Sequence, residues 1–254
     1  MNKDNFCEVV SKTMLNEDTA LIEFHCPEIA KNAKPGQFVN VSCSNFLRRP
    51  FGIASVNKEI GTFKVGIKII GEGTEELASL EEGEGTWILG PLGNGFNTDD
   101  KDKFILVGGG TGVFPINFLY EDLISKGRSV KVVQGFRDST QIIMNNPDYI
   151  LTTDAGDAGL KGNCCDGLNT LSDEDIKDAT VLCVGPMPMM RAVSSWAEKK
   201  GLSCFVSLEQ RMACGIGICL VCICKIKAQE NGQEFDHKRC CKDGPVFDAG
   251  EVIW

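Results

Sequence analysis

The sequence predicts a multidomain α+β chain. It reads as an N-terminal antiparallel β-barrel over residues 1–98, a middle α/β domain with a parallel sheet over 99–207, and a small C-terminal lobe over 208–254. Three observations predict this. Short period-two apolar runs separated by Gly and Pro turns fill the first hundred residues, as in small barrels. Strands then alternate with helical segments, which implies crossover helices on a parallel sheet. Finally, six cysteines crowd between Cys214 and Cys241. The length of 254 residues, at about 150 residues per domain, agrees with two domains or slightly more.

Within the barrel region, Phe63, Val65, Ile67 and Ile69 alternate with Lys64, Gly66 and Lys68, as a half-buried strand does. Similar runs occur at Ala20–Phe24, Gln37–Ser42 and Thr86–Leu89, and a short helix is expected from Thr74. The polar stretch Asn97–Lys103 reads as a linker. Beyond it, the strand Phe104–Val107 runs into Gly108-Gly109-Gly110-Thr111-Gly112, followed by an amphipathic helix over Pro115–Lys126 and a strand over Val130–Gln134. The strand Ala179–Val184 leads through Gly185-Pro186 to a helix over Met187–Lys200 and a strand over Ser203–Ser207. The remaining residues read as loop.

A formal charge of −9 argues against nucleic-acid or anionic-membrane partners. Met1–Val10 has no long apolar core of a signal peptide, and the most apolar stretch, Phe104–Tyr120, is too short to span a bilayer and is interrupted by glycines and Pro115. The expected location is the cytoplasm. Thirteen cysteines in a reducing compartment point to a metal site or redox chemistry, not to a disulfide framework. With only two histidines, such a site must be mainly thiolate, which favours zinc or iron–sulfur.

Cys214, Cys219 and Cys222 have the spacing C-x4-C-x2-C, and Cys240 and Cys241 follow. A triplet so spaced with a distant fourth cysteine is the plant-type arrangement for a [2Fe–2S] cluster. Gly215 and Gly217 let the loop backbone pass close to a cluster without a Cβ clash. A tetrahedral zinc site is the alternative, but its thiolates usually come in two separate C-x2–4-C knuckles. Spacing does not choose between Cys240 and Cys241, and Cys224 reads as a strand residue beside the loop.

Strand, VGGGTG, then helix is a layout in which amides at a helix N-terminus receive phosphate. As a G-x-G-x-x-G match it fails at Val113, and a tight structural turn is the bland reading. The Gly185-Pro186 turn on the same rim strengthens the nucleotide reading, since ligands of open parallel sheets sit at the carboxyl ends of strands. Arg137 follows the second strand and no acidic residue plainly does, so NADH against NADPH stays open. In the barrel, Arg48-Arg49 precede an apolar strand, and Gly71–Thr74 can present amides and a hydroxyl to an anion. The bland reading there is a solvated basic pair and an ordinary turn.

Taken in order, Arg49-Pro50-Phe51-x-Ile53, GxGT at Gly71–Thr74, GPLGNGF at Gly90–Phe96, VGGGTGVFPI, Val184-Gly185-Pro186-Met187-Pro188-Met189-Met190 and the cysteine triplet span nearly the whole chain. This order resembles the ferredoxin reductase superfamily. Within it, the run SLEQRMACGIGICLVCICKIK with RCCKDGPVFDA is most similar to the electron-transfer subunits of NAD-linked (class 1B) dihydroorotate dehydrogenases. The resemblance implies an FAD-binding barrel, an NAD-binding middle domain and a [2Fe–2S] lobe. It implies flavin contacts from Arg49, Pro50, Phe51, Gly52, Ile53 and Ser55, with Ile67, Lys68, Ile69, Gly73 and Thr74 at its ring and phosphates. Gly109, Gly110, Thr111 and Gly112, with Gly185, Pro186 and Met187, would flank NAD(H). Cluster ligands would be Cys214, Cys219, Cys222 and Cys241, because the family's fourth cysteine directly precedes a charged residue and Asp-Gly-Pro-Val-Phe. Gly52 departs from the Ser or Thr common in the family.

What the resemblance implies about activity is an oxidoreductase in which the cofactors carry the chemistry and no side chain need act as general acid or nucleophile. The chain has no room for a (β/α)8 barrel of about 250 residues. An FMN-containing dihydroorotate dehydrogenase catalytic subunit is therefore the expected partner, in a heterotetramer that oxidises dihydroorotate to orotate in pyrimidine biosynthesis while reducing NAD. The rivals are a flavin/iron–sulfur subunit of another complex (a bifurcating ferredoxin:NADP oxidoreductase, a sulfhydrogenase or a sulfite reductase) and a zinc-stabilised binding module.

Overall fold

A computed structural model describes residues 3–144, 146–228 and 234–254. Strands β1 (Lys3–Asn16), β2 (Thr19–His25), β3 (Phe38–Val41), β4 (Arg49–Asn57), β5 (Thr62–Lys68) and β6 (Gly85–Leu92) close into an antiparallel barrel in the order β1-β2-β5-β4-β3-β6. The alternation read at Phe63–Ile69 puts Phe63, Val65 and Ile67 into its core with Ile22, Phe24, Val39, Val41 and Ile53. Two short helices accompany it, α1 (Pro27–Asn32) and α2 (Glu72–Ser79). Strand β1 escaped the sequence reading because its outward positions include Asp4 and Glu8, and because bulges near Val9/Ser11 and Met14/Asn16 break the period.

The second unit follows β7 (Lys103–Gly109) with α3 (Val113–Ser125), then β8 (Ser129–Phe136), β9 (Ile150–Thr153), β10 (Leu160–Lys161), α4 (Cys164–Leu168) and α5 (Asp173–Ile176). Next come β11 (Thr180–Val184), α6 (Met187–Lys199) and β12 (Cys204–Ser207). Sheet order is β10-β9-β8-β7-β11-β12 with all pairs parallel, as the alternation implied. From β7 the chain winds one way to β10, then returns to lay β11 on the other side of β7. The rim where β7 meets β11 is thus the switch point at which open α/β sheets bind ligands.

Helix α3 is less amphipathic than its sequence suggests. Val113, Phe114, Pro115 and Ile116 are all buried, because the helix is wedged between the sheet and the barrel. A Cβ on Gly66 of β5 would stand 1.9 Å from the Phe114 ring, so glycine is what lets the two units meet there. Asn117 Nδ2 donates to Ala54 O across the same seam at 3.2 Å.

The C-terminal segment is more ordered than a loop. It forms a hairpin of β13 (Ile223–Lys227) and β14 (Phe235–Arg239), and then β15 (Val246–Asp248), which pairs antiparallel with β12 and so extends the central sheet. Alternation in ICKIK buries Cys224 and Ile226 and exposes the lysines. Among the described residues no helix is long and apolar enough to cross a membrane.

Candidate cofactor and nucleotide sites

At the switch point, Gly110 takes φ +52 in a 3-10 turn that feeds directly into α3. A Cβ on Gly112 would stand 2.3 Å from Val184 O, and one on Gly109 the same distance from Met189 Sδ. A Cβ on Gly185 would meet Met189 Cε at 2.5 Å and Gly109 N at 3.1 Å. The two turns foreseen at the ends of β7 and β11 are therefore pressed together, with the Met189 side chain packed against both. Beside them opens a cleft of about 900 Å³, walled by Gly109, Gly110, Thr111, Gly185 and Pro186 and, from the barrel, by Lys68. Met187 stands elsewhere, in a separate pocket of about 280 Å³ against Leu208 and Cys224. Its helix contributes Pro188, Met189 and Ala192 to the cleft instead.

On the barrel, the two arginines part company. Arg48 forms a bidentate pair with Asp4 at 2.8 and 2.6 Å, whose carboxylate raises its pKa. Arg49 turns to the N-terminus of α2, its Nη2 donating to Asn45 Oδ1 at 2.9 Å and its Nη1 to Leu47 O at 2.6 Å. A Cβ on Gly73 would stand 2.6 Å from Asn45 Oδ1 and 2.7 Å from Arg49 Nη2, so the guanidinium lies directly over the first helical turn. Cation and free amides at one helix start suit a phosphate group. Thr74 serves the turn itself: its hydroxyl accepts from Ile70 N and Gly71 N and donates to Gly71 O.

Ile53 and Ile67 point into the barrel core, leaving only their backbone for a ligand, whereas Pro50 is exposed and Phe51, Gly52, Ser55 and Ile69 are half-buried. Gly52 has a local reason: a Cβ there would lie 3.3 Å from Pro115 Cγ of α3. Lys68 Nζ is held by Asp18 at 3.2 Å and Gln141 Oε1 at 2.6 Å, at the cleft edge.

The thiols come in two pairs. Cys214 Sγ accepts from Cys219 N and Ile218 N at 3.4 Å each, and Cys219 Sγ from Cys214 N at 3.5 Å. Cys222 Sγ accepts from Cys241 N at 3.4 Å. Burial pushes the Cys214 thiol up, but the N–H groups of Cys219, Ile216 and Ile218 outweigh it and bring it to about 6. Burial and Cys222 push Cys241 up to about 12. Cys240 faces the other way, fully buried, its Sγ donating to Leu208 O at 2.9 Å. The loop's backbone is held by Gly215 at φ +70 and Gly217 at φ +85. Arg239 clamps it, donating to Gly217 O at 3.1 Å while paired with Asp243 at 2.9 Å through both Nε and Nη2.

Among the described residues no group of three His, Cys, Asp or Glu could hold a metal ion as the side chains stand. Two dithiol pairs lined with amide donors suit instead a centre with two irons, each taking two thiolates, whose sulfurs accept N–H bonds.

An oxidoreductase FAD-binding domain family matches residues 6–96, and the iron–sulfur cluster binding domain of dihydroorotate dehydrogenase B matches residues 209–253. End to end, the chain is 34% identical to the dihydroorotate dehydrogenase B (NAD(+)) electron transfer subunit of Desulforamulus reducens, over 100% of both chains. It is 36% identical to that of Bacillus cereus over 87% of each. The chain belongs to this family.

Membership makes it an NAD-linked oxidoreductase subunit with FAD and iron–sulfur domains. Among solved structures, one described as the NADH-dependent reduced ferredoxin–NADP oxidoreductase superposes with a TM-score of 0.86 at 31% identity, covering 100% of this chain and 92% of the other. Phthalate dioxygenase reductase shares the fold, with a TM-score of 0.62 at 21% identity over 78% of this chain and 64% of its own.

The structure also brings to the cleft residues that the sequence reading passed over. Cys164 and Cys165 line it with Asn163, Phe136 and Asp154. Burial pushes the Cys164 thiol up to about 12, so it stands there as a neutral, apolar wall. Asn163, whose side chain caps α4 by accepting from Cys165 N at 2.8 Å, was the available signal.

Proposed function

We propose that this chain carries electrons between NAD and a [2Fe–2S] cluster by way of FAD, as the electron-transfer subunit of a complex that oxidises dihydroorotate to orotate. The observation that carries the reading is the convergence on one chain, 34% identical end to end to such a subunit, of an arginine-capped helix start, a glycine rim at the sheet's switch point and two thiol pairs. In this reading Arg49 and the amides at Gly73 hold the flavin's pyrophosphate, and Pro50, Phe51, Gly52, Ile53 and Ser55 border its ring with Ile67, Lys68 and Ile69. Thr74 fixes the turn that presents those amides. Gly109, Gly110 and Thr111 receive the nucleotide's phosphates, Gly112 keeps the rim tight, and Gly185 and Pro186 shape the nicotinamide end, with Met187 one step outside the cleft. Cys214, Cys219, Cys222 and Cys241 would hold the cluster, Cys214 beside Cys219 and Cys222 beside Cys241.

When bound, a flavin would supply the exchange between two-electron hydride chemistry at the nicotinamide and single electrons at the cluster. The protein's own part is positioning: the rim fixes the nucleotide, Arg49 anchors the flavin, and the loop's N–H groups stabilise charge on sulfur. The partner is an FMN-bearing catalytic subunit, in a heterotetramer in the cytoplasm. A second reading, a subunit of an NADH-dependent ferredoxin–NADP oxidoreductase, is favoured by the 0.86 TM-score at 31% identity. Co-purification of the native complex followed by two assays separates them. Dihydroorotate-dependent NAD reduction with an FMN subunit supports the first; ferredoxin-dependent NADP reduction without it supports the second.

A further inference from the structure

Asn40 is the central puzzle left over. It lies on β3 between Val39 and Val41, both of which point into the barrel core. Asn40 therefore faces outward, as does Phe38, which packs in the cluster shared with Leu92, Cys222 and Cys241. Although it is on the outer face, Asn40 is fully buried, and neither Oδ1 nor Nδ2 has a hydrogen-bond partner. Strand pairing sets it opposite Pro50, which has no N–H to offer. What covers it is the thiol loop: a Cβ on Gly215 would stand 2.3 Å from Asn40 Nδ2. Buried amides are almost always paired, so a doubly orphaned one marks a missing partner.

We infer that Asn40 is a positioning residue for the iron–sulfur centre, its Nδ2 donating from the barrel side to the centre's sulfur shell next to Cys214 and favouring the reduced state. The inference rests on the proposed electron-relay reading. The direction follows from charge: the reduced centre carries one more negative charge, and a donor aimed at its sulfurs stabilises that form more than the oxidised one. A leucine, with the same branch point and number of side-chain heavy atoms, removes the donor without opening a cavity, and an amide with no partner in the assembled protein would be better replaced by it.

The test is an EPR-monitored redox titration of the complete, cofactor-loaded chain and its Asn40→Leu variant, with flavin potential followed in parallel. The expected result is that at fixed poise the variant's reduced-to-oxidised ratio falls about tenfold, about 59 mV for one electron, while the flavin potential holds. Asn40→Ser, which keeps a shorter donor, is expected to shift in the same direction by less, and it serves if the leucine variant does not assemble. An unchanged cluster potential in either variant, or a shift confined to the flavin, overturns the inference. A wild-type chain with no [2Fe–2S] signal overturns the relay reading itself, and that result is visible before any variant is made.

Discussion

The nucleotide rim and the thiol lobe solve the same task, holding a redox group, by opposite means. The rim is made of backbone. Gly109, Gly112 and Gly185 are so close to Met189 and Val184 that the shape exists only where side chains are missing. The lobe is made of side chains on a thin loop. Its sulfurs are the site, and Ile218, Leu220 and Val221 around them are more than half exposed, at 76, 58 and 51%. The rim is thus set by the packing of the central sheet, whereas the lobe presents its thiols on a loop held by Arg239 and by amide donors. The difference predicts which substitutions act locally and which propagate.

The largest effect belongs to the lobe. Cys222→Ser is expected to abolish the visible absorbance of the cluster, while Cys240→Ser, altering a thiol that bonds Leu208 O, retains it; loss in both would erase the distinction between the paired thiols and Cys240. At the rim, Gly112→Ala drives a methyl onto Val184 O, and overpacking of this kind costs about 1–3 kcal/mol. Its thermal midpoint is expected to fall and NAD binding to be lost, with iron content unchanged; normal binding by calorimetry would show that the rim can relax.

On the barrel, Arg49 carries an effect of intermediate size. A hydrogen bond to a charged group contributes about 1.5–3 kcal/mol, so Arg49→Ala is expected to weaken flavin retention by about 10- to 100-fold. Arg48→Ala, which breaks the pair with Asp4, leaves it near wild type. Equal losses measured by fluorescence titration would mean that the arginines act only as bulk charge.

The smallest effect is a pH dependence at the cleft edge. The Thr19 hydroxyl, and then Lys68, hold the Asp18 carboxyl below its ordinary 3.8. A depressed carboxylate contributes stability that is full above its unfolded pKa and lost as pH falls through the folded value. The contribution is screened by solvent and stays below about 1 kcal/mol. The thermal midpoints of wild type and Asp18→Asn should therefore differ slightly at pH 6 and converge below pH 3.8; a gap that widens on acidification would contradict the assignment.

The sequence disclosed the parts whose physics is local. Alternation at Phe63–Ile69 and the glycine turn after Val107 could be read directly, and so could the C-x4-C-x2-C triplet. What it hid depends on contacts between distant residues. Spacing could not decide between Cys240 and Cys241, which are adjacent; the turn from Arg239 to Lys242 aims one at Leu208 and the other at Cys222. The return of Val246–Asp248 to β12, the burial of α3 on two sides and the isolation of Asn40 likewise exist only once the units dock. Along α6 too, it is packing that turns Met187 toward Leu208 while Met189 faces the cleft.

The most direct test of the central claim is an anaerobic titration of the purified chain with NADH, read at once by flavin absorbance and by EPR. The account predicts that flavin bleaching is followed by a [2Fe–2S] signal within the same sample, and that the Gly112→Ala chain shows neither. Flavin that bleaches while the cluster stays oxidised in the presence of excess NADH would contradict it.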